Sequence, residues 1–238
     1  VNKWRETISD EEIEAPKYED ELSVFTWNTK EEKSLLEESF DNLGAPYYKL
    51  GKGVEKWHRH QIFLTLPLLK SIKTKYAMAN DAYDAIMLES PVRALDIFKT
   101  KHGGKGILYT AETNYWPDEE TTKEYEESVY SGRFRYLNSG GFIGETAELI
   151  KFFEAMFEEA KDFTKGFSND EQGIAHRVAA RPEFQDIVKL DHDCSIFQPL
   201  FGLLPGELEL YTVTDETTIT NWPRVIVNPQ TGKQRELW

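Results

Sequence analysis

Apolar residues change their spacing along this chain in a way that separates strands from helices. Leu22-Ser23-Val24-Phe25-Thr26 is a short β-rich run, closed by Trp27-Asn28-Thr29. Thr29 with Glu32 matches a capping box. Leu36, Phe40 and Leu43 then share one face of a helix, and Gly44-Ala45-Pro46 stops it. Residues 47–50 predict a second strand, and Gly51-Lys52-Gly53 a turn. Residues 61–73 read as an apolar helix, limited or kinked at Pro67. Residues 76–79 predict a third strand and residues 85–88 another. Ser90-Pro91 starts a helix, with Ser as cap and Pro at the first helical position. Residues 106–110 return to strand.

This alternation over the first 110 or so residues predicts an α/β fold with a mainly parallel sheet. Ligands of such sheets sit at the carboxyl ends of the strands. Thr26, Asp81 and Thr110 all fall near that edge. The second half is less regular. Residues 136–144 read as strand, turn and strand. A helix follows with Leu149, Phe152, Phe153, Met156 and Phe157 on its apolar side. Residues 170–178 predict a short helix ended by Arg181-Pro182, and short strands and turns follow Leu190, including Asn228-Pro229-Gln230-Thr231-Gly232. Residues 1–20 are charged and poorly periodic, an arm or a loosely attached helix. Residues 21–238 read as one domain, with no Pro/Gly/Ser linker dividing them.

Composition narrows the function. At 39% hydrophobic and 13% aromatic, the 238 residues can bury a core. The net charge of −14 disfavours nucleic acid and anionic membrane surfaces as partners. An anionic ligand would need a divalent cation or a local basic patch beside it. Cys194 is the one cysteine, so no internal disulfide or cysteine zinc cage forms. No apolar run is long enough for a membrane span. Residues 1–20 are not a signal peptide. The reading is a soluble chain with its compartment left open: cytoplasmic, or the ER lumen if an upstream signal has been removed.

Several constellations carry possible chemistry. Asp81 and Asp84, with Tyr83 between them, follow an apolar strand. Two carboxylates at a strand end suit a hard divalent ion that keeps positions open for a diphosphate, and Tyr83 suits a base. Taken alone, the pattern favours a solvated acidic turn. Ser139-Gly140-Gly141 lets backbone approach a ligand closely, but a hairpin turn is the favoured reading in isolation. Asn169-Asp170-Glu171-Gln172 opens a helix, where acids complement the dipole without further purpose. Trp57-His58-Arg59-His60 is a basic, aromatic island suited equally to a diphosphate or to a helix start. Glu112 and Trp116 follow the 106–110 strand and either line a sugar site or pack a loop. Leu190-Asp191-His192-Asp193-Cys194 fits no zinc spacing. A hydrogen-bonded His192 and a buried structural Cys194 are expected there.

The order of these pieces resembles the glycosyltransferase domain of procollagen lysyl hydroxylases and related collagen hydroxylysine glycosyltransferases. The matching segments are Asp81-Ala-Tyr-Asp84-Ala-Ile-Met, Tyr109-Thr-Ala-Glu112 with Tyr115-Trp116-Pro117-Asp118, and Tyr136-Leu-Asn-Ser-Gly-Gly-Phe-Ile-Gly144. Asp170-Glu-Gln172 and Leu190-Asp191 with Ile196-Phe197-Gln198 complete the series. The resemblance implies a GT-A-like, Rossmann-type mixed sheet flanked by helices, a UDP-sugar donor and Mn²⁺. It implies Asp81 and Asp84 as metal ligands and Tyr83 as the base-stacking ring. It places Thr26, with Trp27 beside it, at the first-strand position that meets the nucleotide, and Ser139, Gly140 and Gly141 against the cofactor. Glu112 and Trp116 match the loop beside the sugar, and Asp170, Glu171 and Gln172 the catalytic segment. That segment often carries a second Asp in the family, where this chain has Glu171. The family also supplies a third metal ligand from a late His in a His-Gly-Asn-Gly-like segment, and no His follows His192 here.

The leading expectation is therefore Mn-dependent transfer of galactose or glucose from a UDP-sugar to a hydroxyl. Hydroxylysine, or its galactosyl form, on a collagen-like protein is the acceptor the resemblance suggests. The alternatives are a catalytically impaired GT-A-like module that binds a nucleotide or a partner, and a phosphohydrolase using the same Asp pair.

Overall fold

The structure, a computed structural model, describes residues 21–54, 60–117, 120–161, 170–201, 208–212 and 223–227. The expected arm at 1–20, the Trp57-His58-Arg59 part of the basic island and the 228–232 turn lie outside them.

Six strands form one mixed sheet in the order β2-β1-β3-β5-β4-β6. They are β1 (Leu22–Trp27), β2 (Tyr48–Leu50), β3 (Tyr76–Asp81), β4 (Ile107–Glu112), β5 (Tyr136–Glu145) and β6 (Val188–Leu190). β1 pairs in parallel with β2 and β3, and β4 with β6, while β5 runs antiparallel between β3 and β4. The expected mainly parallel α/β sheet is thus present, with one reversed strand at its centre. β7 (Leu208–Thr212) and β8 (Pro223–Val227) form a separate antiparallel pair.

Helices cover both faces. Along β1, Leu22 and Val24 point to one side and Phe25 and Trp27 to the other. The first side packs on α1 (Leu35–Asn42) and α3 (Pro91–Lys101), through Leu36, Phe40, Leu95 and Phe98. The second packs on α2 (His60–Ser71), α5 (Thr146–Ala160) and α6 (Glu171–Ala179). There Phe25, Tyr109, Phe142, Phe152 and Phe153 build a fully buried aromatic centre. Each such side chain contributes about 1.5–3 kcal/mol by leaving water, so this face anchors the sheet.

Four expectations need correction. The capping box is Ser34 with Glu37, not Thr29 with Glu32. Both pairs have the right spacing, but Thr29 is held out of the helix by contacts to Tyr83. Pro67 lies inside α2 without ending it. Its helix is apolar around most of its surface and packs on α5, so burial of its side chains offsets the one backbone bond that a proline removes. Residues 85–88 are irregular; Ala85 and Met87 pack on the α1–α3 core without pairing to a strand. Finally, residues 136–144 are no hairpin but part of a single ten-residue strand. α4 (Glu120–Val129) was not anticipated, because its sequence is nearly all polar.

Candidate functional site

β1, β3 and β4 end at one edge of the sheet, and the antiparallel β5 enters there. Trp27 and Asp81 are register partners at the ends of β1 and β3. Thr26 is fully buried and donates its hydroxyl to Asn80 O at 2.8 Å. The Trp27 indole is buried in the core, donating to Thr65 Oγ1 at 2.9 Å and packing edge-on against Phe25. Both side chains are thus committed inside the protein, and what they bring to the edge is backbone.

The residue that shapes this end is Asn28, which the sequence reading passed over. Its amide donates to Glu32 O and to Glu37 Oε2. Its Oδ1 accepts from Lys30 N and from the Tyr83 hydroxyl, each at 2.9 Å. Tyr83 also accepts from Thr29 N at 3.2 Å, and the Lys30 ammonium lies 4.9 Å from its ring. The hydroxyl end of Tyr83 is therefore tied down while its ring stays partly exposed. A fixed, solvent-facing ring is what stacking on a planar ligand requires.

Asp81 ends β3, and its Oδ1 accepts from Gln61 Nε2 at 2.6 Å, at the start of α2. Asp84 follows in an exposed loop. The Gly-Gly pair meets Asp81 from the other side. Tyr109 opposes Phe142 and Thr110 opposes Asn138, so Ser139, Gly140 and Gly141 bulge out opposite β4. A Cβ on Gly140 would stand 2.9 Å from both Asp81 Oδ2 and Asn138 Oδ1. A Cβ on Gly141 would stand 2.7 Å from Thr110 Oγ1 and 2.8 Å from Asn80 Nδ2. The glycines serve close approach, not a turn.

α6 closes the site from above the bulge. Asp170 is its N-cap, accepting from Gly173 N at 2.7 Å through Oδ1. Glu171 turns inward and accepts from the Ser139 hydroxyl at 2.7 Å. Burial holds the Glu171 carboxyl well above the usual range; the Ser139 bond opposes this, and the neighbouring Asp81 and Asp170 charges add to it. Gln172 buckles three parts together: its Oε1 accepts from Ser139 N at 3.1 Å, and its Nε2 donates to Glu112 Oε1 at 2.9 Å and to Trp116 O at 2.8 Å.

Glu112 and Trp116 border a cleft of about 730 Å³, which Asn138, Gln172, Lys123 and Phe201 also line. Glu112 is buried, and burial raises its carboxyl, opposed by hydrogen bonds from Gln172 and Asn138. The Trp116 ring is 57% exposed and Phe201 68%. A polar floor between exposed rings suits a ligand with hydroxyls on its edge and C–H on its faces.

Asp191 is a support for this edge. Fully buried, it accepts from Ser195 N and Oγ, Ile196 N and Phe197 N, at 2.7–3.0 Å. Phe197 in turn lies against Gly141. His192 donates to Phe134 O at 2.8 Å and stacks on Tyr130, as expected of a structural His. Cys194 is half-buried, not buried, and its backbone takes a positive φ of 51° in the tight turn after Asp191. His60 is buried at the start of α2.

The structure thus brings Asp81, Ser139, Gly140, Gly141, Glu171, Gln172, Glu112 and Trp116 into one contact network. Tyr83 and Asp84 flank it on the loop after β3. Among the described residues, no group of three His, Cys, Asp or Glu is drawn together as a cation cage. Asp81 and Asp84 carry carboxylate oxygens, the ligand type that a hard divalent ion takes. Asn28, Gln61, Asn138 and Phe201 were missed. Of these, Asn138 alone stands inside one of the matched sequence segments, directly before Ser139-Gly140-Gly141.

A mixed, mostly parallel α/β sheet flanked by helices is consistent with a GT-A domain. The comparison with known families agrees: residues 19–228 match the PLOD GT domain, and the chain belongs to that family. It is 30% identical over 203 residues to procollagen-lysine,2-oxoglutarate 5-dioxygenase 1 of Bos taurus, covering 79% of this chain and 26% of that protein. It is 30% identical over 202 residues to the multifunctional procollagen lysine hydroxylase and glycosyltransferase LH3 of Homo sapiens, covering 78% and 26%. The Rattus norvegicus LH3 is 33% identical over 145 residues, 57% of this chain and 18% of that protein. The chain spans about a quarter of the length of the first two relatives. No helix among the described residues is long and apolar enough to cross a membrane.

Proposed function

We propose that this chain transfers a hexose, galactose or glucose, from a UDP-sugar to a hydroxyl acceptor with the help of Mn²⁺. Hydroxylysine, or galactosyl-hydroxylysine, of a collagen-like protein is the acceptor we favour, since a relative is named for both lysine hydroxylation and glycosyl transfer. The observation that carries the reading is the contact between Asp81 and the glycine bulge. It puts a carboxylate at a strand end with glycine backbone against Oδ2 and the Gln61 amide on Oδ1, and with Asp84 and the Tyr83 ring one loop away.

In this reading Asp81 and Asp84 hold the cation, which when bound offsets the charge of the diphosphate. Tyr83 stacks on the base, beside the ends of β1 at Thr26 and Trp27. The hexose enters the cleft, where Glu112 and Gln172 face its hydroxyls and Trp116 covers a face. The acceptor oxygen bonds to the anomeric carbon as the bond to the diphosphate breaks and UDP departs. The acceptor proton passes to a carboxylate, for which Asp170 is our candidate. One of its oxygens is spent on the helix cap and the other is assigned to the acceptor side. Glu171, buried and bound to Ser139, is assigned to shaping the bulge and not to receiving that proton.

The test is UDP release from UDP-galactose or UDP-glucose with Mn²⁺ and a hydroxylysine peptide, comparing the wild type with Asp81→Ala. Metal-dependent release that falls by at least about a hundredfold in the variant supports the assignment. Equal metal-dependent turnover in both overturns the metal site. Nucleotide binding without turnover in the wild type would make the chain a binding module, and release of inorganic phosphate would make it a phosphohydrolase.

A further inference from the structure

Trp116 lines the cleft, and one of the two side chains that support it, His176, has no part in the reaction described above. The Trp116 carbonyl accepts two hydrogen bonds, from Gln172 Nε2 at 2.8 Å and from His176 Nε2 at 2.9 Å. Both donors lie on α6, four residues apart and so on one face. His176 is almost fully buried. Because a carbonyl only accepts, Nε2 carries a hydrogen, which leaves Nδ1 to meet Glu126 Oε1 of α4. The other Glu126 oxygen accepts from Leu137 N on β5 at 2.9 Å. The Tyr115 ring packs on the imidazole at 4.6 Å.

A continuous chain therefore runs from β5 through Glu126 and His176 to the backbone of Trp116. A core histidine needs only partners for its two nitrogens. This one spends a nitrogen on the residue that overhangs the cleft, and its other anchor is a buried carboxylate that cannot follow solvent. We propose that His176 is a positioning residue for the sugar half of the site: anchored on Glu126, it fixes the loop that holds Trp116 over the cleft and so sets the affinity for the hexose without touching the nucleotide. The inference rests on the reading of the cleft as the hexose site.

Two substitutions separate the two contacts. The amide nitrogen of Gln reaches the position of Nε2, and that of Asn the position of Nδ1. His176→Gln thus keeps the bond to Trp116, whereas His176→Asn keeps the contact to Glu126 and loses Trp116. With Mn²⁺ present, calorimetric titrations compare UDP with UDP-galactose and UDP-glucose. We expect His176→Asn to weaken the UDP-sugar about fivefold, one neutral hydrogen bond's worth, and to leave UDP within about twofold. We expect His176→Gln to leave both within about twofold. Equal effects of Asn and Gln, or equal losses for UDP and UDP-sugar, overturn the proposal.

Amide hydrogen exchange gives a readout independent of sugar chemistry. In His176→Asn, exchange at the amides of 113–116 should rise at least about tenfold while α1 at 35–42 keeps wild-type protection. Uniform loosening of both regions means an ordinary core role and overturns the proposal. Should His176→Asn fail to fold, Glu126→Ala removes the anchor and must show the same regional split with a smaller amplitude. A wild type that binds neither UDP nor UDP-sugar sinks the proposed function, and the exchange pattern then still judges the clamp.

Discussion

Gly140 leaves room for Asp81: a methyl group on this glycine would stand 2.9 Å from the Asp81 carboxylate. The same methyl would be equally close to the Asn138 amide oxygen. Relief requires one of the two side chains to move, and Asp81 is also held by Gln61. Gly140→Ala is expected to weaken Mn²⁺-dependent UDP binding by about tenfold, roughly 1.4 kcal/mol. Calorimetry with Mn²⁺ and UDP checks this, with thermal denaturation as control for the fold. Unchanged affinity would mean that the carboxylate does not meet the ligand.

Tyr83 provides a cleaner split between ring and hydroxyl. Tyr83→Ala should cost UDP binding about 1–3 kcal/mol, the worth of one base stacked on an aromatic ring. Tyr83→Phe keeps the ring and loses the bonds to Asn28 and Thr29, so its loss should be smaller, about 1 kcal/mol or less. Competition with a fluorescent UDP analogue reads both. A Phe variant as poor as the Ala variant would assign Tyr83 to loop fixation and not to stacking.

Asp191 accepts four hydrogen bonds from one short loop while fully buried. Asp191→Ala removes every acceptor at once and strands three backbone donors. The expected loss of stability is at least about 3 kcal/mol, read by urea denaturation. Because Phe197 leans on Gly141, UDP affinity should fall as well in whatever fraction remains folded.

Glu112 makes stability pH-dependent in a stated direction. Burial raises its carboxyl above the value of an unfolded chain, about 4.3. Its folded form therefore binds a proton more tightly than the unfolded chain does. Its contribution is fully present below that unfolded value and is lost as pH rises through the folded one. Glu112→Gln stays neutral and can still accept from Gln172. The variant's melting temperature relative to wild type should rise between about pH 4 and pH 7.5. A difference that is flat or falls over that range contradicts the desolvation argument.

Much of this molecule can be read from its sequence because the determining contacts are local. The β-rich run of β1, the apolar stripe of α5 and the Ser90-Pro91 start of α3 are each signals carried within one element. The acid step after β3 and the acids opening α6 were visible for the same reason. What the sequence left open needed two segments far apart to meet. Gly-Gly taken alone favours a hairpin, and only β3 and β4 flanking β5 on both sides make it a bulge. Ser34 and Thr29 both head a capping pattern, and the bond from Thr29 to Tyr83, 54 residues away, removes one of them. Asn28, Gln61 and His176 carry no local pattern at all. Their roles come from partners up to 60 residues away, and a polar side chain reveals its task only once folding has fixed what it must pair with.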